Sequence, residues 1–517
     1  MANRRTVIVG AGSAGCVLAA RLSEDPHEEV LLLEAGPDYP DLGSMPESIR
    51  DASQNGTTEH DWGYVDTPRG SGSAGAGDHA FLGHSGGIPV LRGRVVGGSS
   101  SVNGANFLRA LPSDFDRWQE AGHDDWGWES VLPYFRRLES DPGDPEFHGD
   151  AGPMRVTRAS QASLRPVQQA FLDACQAVGV RTVEDLNLPS SLPGAGAIPQ
   201  NQVEGVRQST ALSYLDVSIR SRANLTIRPD VEVDRIEFDG SRATAVMLVG
   251  GEQVDADRII LSAGAYGSPS ILMRSGIGDP AELATHGIDS RIALPGVGQH
   301  LQDHPLLFMI YEVDPDKVGA IHPSVQTIAV TTSTGSTDPA DIDLNIVMVT
   351  PVEGQLLLGV GLMRPEAVGR VRLRSSTPTV APKIDTNALG EKNDVDRVVL
   401  GASLVRRLVD TPALKAFIKN EIYPGPEIVD AEVLGTTFRG LPTLYAHGVG
   451  TCRMGAADDP MAVVDRFGAV HGAEGLWVID ASIMPDIPSS PPNQTTIMIA
   501  ERCSDRLRSH GTQEGIK

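Results

Sequence analysis

Thr6 to Gly36, TVIVGAGSAGCVLAARLSEDPHEEVLLLEAG, constrains the fold of this chain more than any other stretch. An apolar run (Val7, Ile8, Val9) leads into Gly10, Gly12 and Gly15 at G-x-G-x-x-G spacing. Ala14, Val17, Leu18 and Leu22 then recur with a helical period, and a second apolar run, Val30 to Leu33, ends at Glu34. Strand, tight turn, helix, strand and acid in that order are the setting in which such glycines bind a dinucleotide. Gly10 permits the turn, Gly12 carries no Cβ to block a pyrophosphate, and Gly15 lets helix and strand approach. The helix N-terminus offers free N–H groups to negative charge. Glu34, 19 places after Gly15, is set to accept from a ribose hydroxyl. This stretch alone does not separate FAD from NAD.

A chain of 517 residues exceeds one ordinary core, so two domains are expected. A formal charge of −24 argues against nucleic acid or an anionic membrane as partner, since phosphate binding needs basic patches. No apolar run approaches the roughly twenty residues of a membrane span. Cys16, Cys175, Cys452 and Cys503 have no metal-type spacing, and Cys16 and Cys503 fall at packed helical positions. Reduced thiols, and a first strand beginning at about the sixth residue with no room for a signal peptide, point to the cytoplasm.

Beyond Gly36 a polar, Gly/Pro-rich stretch to about Pro89, containing DWGYVDTPRG, reads as a long excursion over the cofactor. Arg92 to Trp118 follows, with Gly97-Gly98, a serine run and Asn103-Gly104. It reads equally as backbone built to approach a flat ligand or as a Ser/Gly loop with Ser113 capping a helix. Helices are expected over Asp125 to Leu138 (on the surface) and over Ser163 to Val178, with Pro166 in the first turn of the second. Leu225 to Val249 alternates as a strand meander turning at Asp239-Gly240. Arg258 to Gly278 is again strand, small-residue turn and helix. Runs such as LNIVMVT and QLLLGVGLM, with a helix over Val395 to Val409, suggest an antiparallel sheet with helices on the substrate side. Near the C-terminus His447 precedes a Gly-rich turn, Asp480 ends the strand LWVI, and Asn493 to Thr496 start an amphipathic helix. If that helix began at a flavin, its positive end would stabilise the reduced ring.

The nucleotide motif, RGRVVGGSSSVNGANFLR, SAGAYGSPSILMRSGIG, VGQHLQDHP and the segment from His447 to Asn493 resemble, in the same order, the glucose–methanol–choline oxidoreductases. The resemblance implies FAD, and oxidation of an alcohol by hydride transfer to flavin N5. It implies an α/β fold (α+β overall): a Rossmann-like FAD domain, discontinuous in sequence, beside an antiparallel-sheet-plus-helices substrate domain. The FAD domain is expected over 1–155 (with flavin-covering loops at 37–118), 223–305 and 447–517, and the substrate domain over 156–222 and 306–446. The partners implied are a small-molecule alcohol and oxygen or another electron acceptor; the number of subunits is left open.

On the family's pattern His447 is the catalytic base. FAD contacts fall on Gly10, Gly12, Ser13, Ala14, Gly15, Glu34 and Ala35, then on Arg94, Val96, Gly98, Ser99, Asn103, Gly104, Ala105 and Asn106. Val233, Ala263, Gly264, Asp480, Ala481, Asn493, Gln494 and Thr495 complete the set. Two departures stand out. The family's second catalytic His or Asn falls on Pro491, which has no side-chain donor, while Asn493 matches a later asparagine placed at the flavin. The histidine that links FAD covalently in some relatives is Val102 here, so non-covalent FAD is expected. Ala446 stands where relatives often carry a bulky residue. With the apolar Pro491, it favours an aryl, furanic or pyridoxine-like primary alcohol, oxidised to the aldehyde or acid. Sugars or glycosides, choline, a redox-peptide-linked (mycofactocin-type) dehydrogenase role and a hydroxynitrile lyase are the alternatives. No metal is expected.

Overall fold

The run Arg4–Val9 forms the central strand of a five-stranded parallel sheet. We describe a computed structural model covering residues 4–54, 58–67, 87–319, 323–350, 354–440 and 442–513. The sheet order is Leu225–Arg228, Glu28–Leu33, Arg4–Val9, Arg258–Leu261 and Leu476–Val478. Val7 to Val9, Val30 to Leu33 and Ile259 to Leu261 are buried, the continuous apolar reading of strands covered on both faces. The helices Ser13–Leu22 and Asn493–Gln513 pack on one another beside this sheet. Residues far apart in sequence therefore meet at one edge. Gly10, Glu34, Ala263 and Asp480 all follow the carboxyl ends of parallel strands, where open α/β sheets bind ligands.

The second layer is a seven-stranded sheet in the order Ile418–Tyr423, Pro305–Val313, Gln355–Leu362, Leu344–Val349, Thr327–Thr331, Gly194–Ala197, with Thr443–Leu444 pairing Pro305–Val313. Its strands pair antiparallel, so side chains alternate between faces. Leu307, Met309, Tyr311 and Val313 join the core under the helices Pro166–Ala177 and Lys392–Val409. Leu306 and Phe308 belong to the opposite face with Ile328, Val330 and Val347. Gly359 and Gly361 lie on that opposite face too. A Cβ at Gly359 would come within 2.8 Å of Val347, and one at Gly361 within 2.8 Å of the Tyr445 hydroxyl. The glycines of QLLLGVGLM thus make room for the side chains in front of them.

Most expected elements form, with informative shifts. The helix expected from Ser163 runs Pro166–Ala177 with Pro166 at its first position, and the one expected from Val395 runs Lys392–Val409. The helix Trp128–Leu138 is not simply superficial. Val131, Phe135 and Leu138 are buried against Phe115, Trp118 and Trp126. Ser113 is not the cap of its helix, which spans Pro112–Glu120; Asp114 accepts from the Leu111 N–H at 2.8 Å instead. Leu225–Arg228 leaves the expected meander and pairs in parallel with Glu28–Leu33. Asp230 in the left-handed region turns the chain out, and the meander begins at Val233. Its hairpin turns at Gly240-Ser241, with Asp239 paired to Arg242. In the long excursion, Tyr64–Asp66 and Ile88–Val90 pair with each other, and Asp66 bridges to Ile384. Residues 55–57 and 68–86, including the end of DWGYVDTPRG, lie outside the described residues. Among the described residues no helix is long and apolar enough to cross a membrane. All four cysteines are free and buried.

Candidate functional site

A single cavity of about 1860 Å³ runs from the carboxyl ends of the parallel strands to the face of the antiparallel sheet. At the sheet end its wall includes Gly10, Gly12, Ser13, Ala14, Glu34 and Ala35. The Glu34 carboxylate accepts from the backbone N–H groups of Ala11 and Gly36, both at 2.9 Å. Burial nonetheless pushes its pKa up to about 7, against the pull of those two donors. Arg94 lines the same region, its guanidinium 5.2 Å from the centre of the Trp62 ring. Gly98 presses on the first turn, where a Cβ would come within 2.6 Å of the Gly12 Cα. Ser99, Asn103, Gly104, Asn106 and Val233 also reach the cavity.

Further along, Ala263, Gly264, Asp480, Ala481 and Asn493 form the wall. Both oxygens of Asp480 are committed to protein. It accepts from the Gly264 N–H (2.8 Å), the Ser268 hydroxyl (2.6 Å) and the Ser482 N–H (2.8 Å), and so ties the last parallel strand to the start of the helix Gly264–Arg274. Asn493 accepts from the Ser13 hydroxyl at 2.7 Å and leaves its buried Nδ2 without a partner; Asn106 Oδ1 is likewise unpartnered.

Five residues expected at the ligand do not face the cavity. Gly15 lies behind it, packed against the Gly10 backbone as its helix-packing role requires. Val96 is 3% exposed and belongs to the core. Ala105 is fully buried, with its N–H held by the Asn103 side chain. Gln494 donates to Glu139 at 3.0 Å, and Thr495 is wholly buried, so one turn of helix carries both away from the wall that Asn493 and Thr496 reach.

At the far end sits His447, half-buried on a loop. Ala446 before it is left-handed (φ 60°), an uncommon conformation for a residue with a Cβ. That turn brings Tyr445 flat against the imidazole, with ring centres 5.0 Å apart and planes 2° from parallel. The His447 N–H donates to Asp303 Oδ1 at 2.7 Å, and its Nδ1 lies 2.9 Å from Nδ1 of the buried His304. Burial, then the neighbouring His304 and then Arg92 hold the His447 pKa well below the ordinary histidine value, so the ring is neutral. Beside it the cavity is bounded by Leu306, Phe308, Val325, Val347, Val349 and Pro491. Asp303, His304 and Tyr445 have no counterpart among the residues picked from sequence. The signal for Asp303 and His304 was VGQHLQDHP, where an Asp-His pair stands directly ahead of a strand; Tyr445 stands two places before His447 in LYAHGVG.

The model of the GMC oxidoreductases matches residues 5–306 and 365–500. The chain belongs to the GMC oxidoreductases. It is 36% identical over 545 residues to oxygen-dependent choline dehydrogenase 1 of Chromohalobacter salexigens, covering 97% of this chain and 94% of that one. Among solved structures it is similar to pyridoxine 4-oxidase from Mesorbium loti, with 30% identity, TM-score 0.88 and coverage of 98% and 100%. A fungal aryl-alcohol oxidase shares the fold, with TM-score 0.80, 22% identity and coverage of 99% and 100%. Members of the family are FAD-dependent oxidoreductases acting on alcohols, and this GMC oxidoreductase is one of them, built on the two-domain FAD-binding α/β fold.

The cavity of this GMC oxidoreductase suits FAD on its own evidence. A Cβ at Gly12 would meet no protein atom closer than 3.9 Å and would stand in the cavity instead. The unpartnered Asn493 Nδ2 and Asn106 Oδ1 provide a donor and an acceptor that only a ligand or solvent can satisfy. The N-terminus of the helix Asn493–Gln513 reaches the same wall.

Proposed function

We propose that this GMC oxidoreductase oxidises a primary alcohol carried on an aromatic or heteroaromatic ring, with His447 as the base and FAD held without a covalent link. The observation that carries this reading is the wall beside His447. Leu306, Phe308, Val325, Val347 and Val349 present apolar surface, with Pro491 among the residues closing the cavity. A flat ring is accommodated by such a surface, whereas a polyhydroxylated sugar would leave its hydroxyls unpaired there at about 1–3 kcal/mol each. Among the described residues, the acids that line the cavity (Glu34, Asp61, Glu232 and Asp480) come from the parallel sheet and its neighbouring loops, and none from the antiparallel sheet. A quaternary ammonium would therefore find no carboxylate on that face among the described residues. Similarity to pyridoxine 4-oxidase, at 30% identity over 98% of this chain, supports the heteroaromatic reading.

The chemistry follows from the side chains. Neutral His447 can take the hydroxyl proton at Nε2, which makes the carbinol carbon a far better hydride donor. When bound, FAD supplies the two-electron acceptor. Tyr445, stacked on the imidazole, and Asp303, bonded to the His447 N–H, fix where that nitrogen points. The buried, unpartnered hydroxyl of half-buried Tyr445 belongs to the same wall and would suit a polar substituent of the substrate. Val102 lines the cavity where a linking histidine would stand, and offers no nucleophile to the ring. Glu34, Arg94, Gly98, Asn103, Gly264 and Asn493 line the cavity and would hold the cofactor along its length.

The test is an anaerobic titration of the flavin band with benzyl alcohol, pyridoxine, glucose and choline, followed by admission of air. Bleaching by the ring alcohols at the lowest concentrations is expected. Bleaching by choline or glucose alone would refute the substrate class. The rate of recovery in air then tells oxidase from dehydrogenase.

A further inference from the structure

We propose that His304 is a positioning residue for the reaction: it accepts the Nδ1–H of His447 at its own Nδ1 and so leaves Nε2 of His447 unprotonated toward the cavity. This rests on His447 being the base. Pro491 removes the side chain from which a partner for His447 would be expected, and the 2.9 Å contact to His304 is the one hydrogen bond its imidazole makes to a described side chain.

The contact joins two Nδ1 atoms, so a single proton lies between the rings and only two arrangements are open. If His304 donated, His447 would have to carry its own proton at Nε2 and would have no lone pair for the alcohol. If His447 donates, its Nε2 is the free base. The surroundings of His304 decide between them. The backbone carbonyls of Pro488 and Met363 act on its ring to favour a proton, and Nε2 itself makes no hydrogen bond among the described residues. With Nδ1 turned to His447, Nε2 is the nitrogen left to carry that proton. The Nε2–H tautomer of His304 leaves its Nδ1 as an acceptor. His304 cannot escape the choice by taking a second proton, since complete burial pulls its pKa down to about 3.

The neighbouring carboxylate does not compete for the imidazole proton. Asp303 Oδ1 accepts the backbone N–H of His447, and its Oδ2 faces the Tyr266 hydroxyl at 3.4 Å. Edge-on packing at 89°, with ring centres 5.1 Å apart, keeps the two imidazoles in register, and Tyr445 closes the other face of His447. When His447 takes the alcohol proton at Nε2, its Nδ1–H still points at the His304 lone pair. The same bond therefore stabilises the imidazolium that forms, as the buried orienting residue of a hydrolytic triad does.

Neutron diffraction from deuterium-exchanged crystals of the FAD-loaded enzyme reads the arrangement without any substrate. Deuterium on His447 Nδ1 and His304 Nε2 is expected; deuterium on His447 Nε2 would overturn the proposal. Flavin bleaching by benzyl alcohol and by pyridoxine gives a second readout, using His304→Phe and His304→Asn with FAD content checked in each. His304→Phe should lower the bleaching rate about 10- to 1000-fold, with less than about a threefold change in the alcohol's apparent Kd. His304→Asn, whose amide oxygen can accept the same proton, should recover most of the rate. A wild-type rate in His304→Phe would refute the positioning role. His447→Gln is the control that separates the two ideas. Undiminished bleaching in that variant removes the base assignment itself, whereas loss there with none in His304→Phe removes only the positioning role.

Discussion

Replacing Gly10 and Gly12 separately should split folding from cofactor binding, although the two lie in one turn. Gly10 has φ 95°, and a Cβ there would come within 2.6 Å of the Ser262 carbonyl oxygen and 2.9 Å of the Ala263 Cα, both backbone. Left-handed strain costs about 1–2 kcal/mol for an L residue, and overpacking against atoms that cannot rotate away about 1–3 kcal/mol more. Gly10→Ala should therefore lose about 2–5 kcal/mol, a large part of the roughly 5–15 kcal/mol of a typical domain. Gly12 has φ −78°, which any residue adopts, and its Cβ would meet nothing nearer than 3.9 Å. Gly12→Val should leave the apoprotein stable to within about 1 kcal/mol but fill the space beside the helix N-terminus where a pyrophosphate is expected. The assay is thermal melting of cofactor-stripped proteins, paired with the flavin-to-protein ratio after reconstitution. Gly10→Ala should melt at least about 2–4 °C below wild type. Gly12→Val should melt with wild type yet remain colourless. A yellow, active Gly12→Val enzyme, or apo Gly10→Ala melting with wild type, would refute the geometry of the turn.

Other outcomes follow from the same site. His447→Ala should slow flavin reduction by about 10²–10⁴, the usual weight of a general base, and near-wild-type reduction would remove the assignment. Because the His447 pKa is held well below the ordinary value, acidification should protonate it only below that value. Flavin reduction at saturating alcohol should then vary by less than about twofold between pH 8 and 6.5, and an acid limb near pH 7 would contradict a neutral base. Acid precipitation should release all the flavin to the supernatant, whereas a yellow pellet would reveal a covalent link. Asp480→Ala leaves three donors without an acceptor and should destabilise the holoenzyme by about 2–4 kcal/mol, read as a lower melting temperature. Stability equal to wild type would mean water replaces the carboxylate there.

Local pattern determined a good deal about this protein. The strand–glycine turn–helix–strand run is legible because each part is set by neighbours in sequence. Apolar runs make strands, Gly10 makes the turn, and an acid ends the second strand. The helices over residues 166–177 and 392–409 were equally readable from their period. Contacts between distant segments were not. Leu225–Arg228 has the alternation of a meander strand, and only its pairing with Glu28–Leu33 draws it into the parallel sheet. Gln494 and Thr495 share a motif with Asn493, yet helical rotation turns them from the cavity, and one of them reaches Glu139 instead. The partner of His447 lies 143 residues away, in a segment recognisable by resemblance but silent about chemistry. A histidine's role depends on what its two nitrogens meet, and a lone pair or proton is fixed by groups gathered from across the fold. Sequence therefore marked the glycine turn and pointed to His447 as the expected base; tertiary structure alone set His304 and Tyr445 against that imidazole and opened the cavity onto the apolar face of the antiparallel sheet.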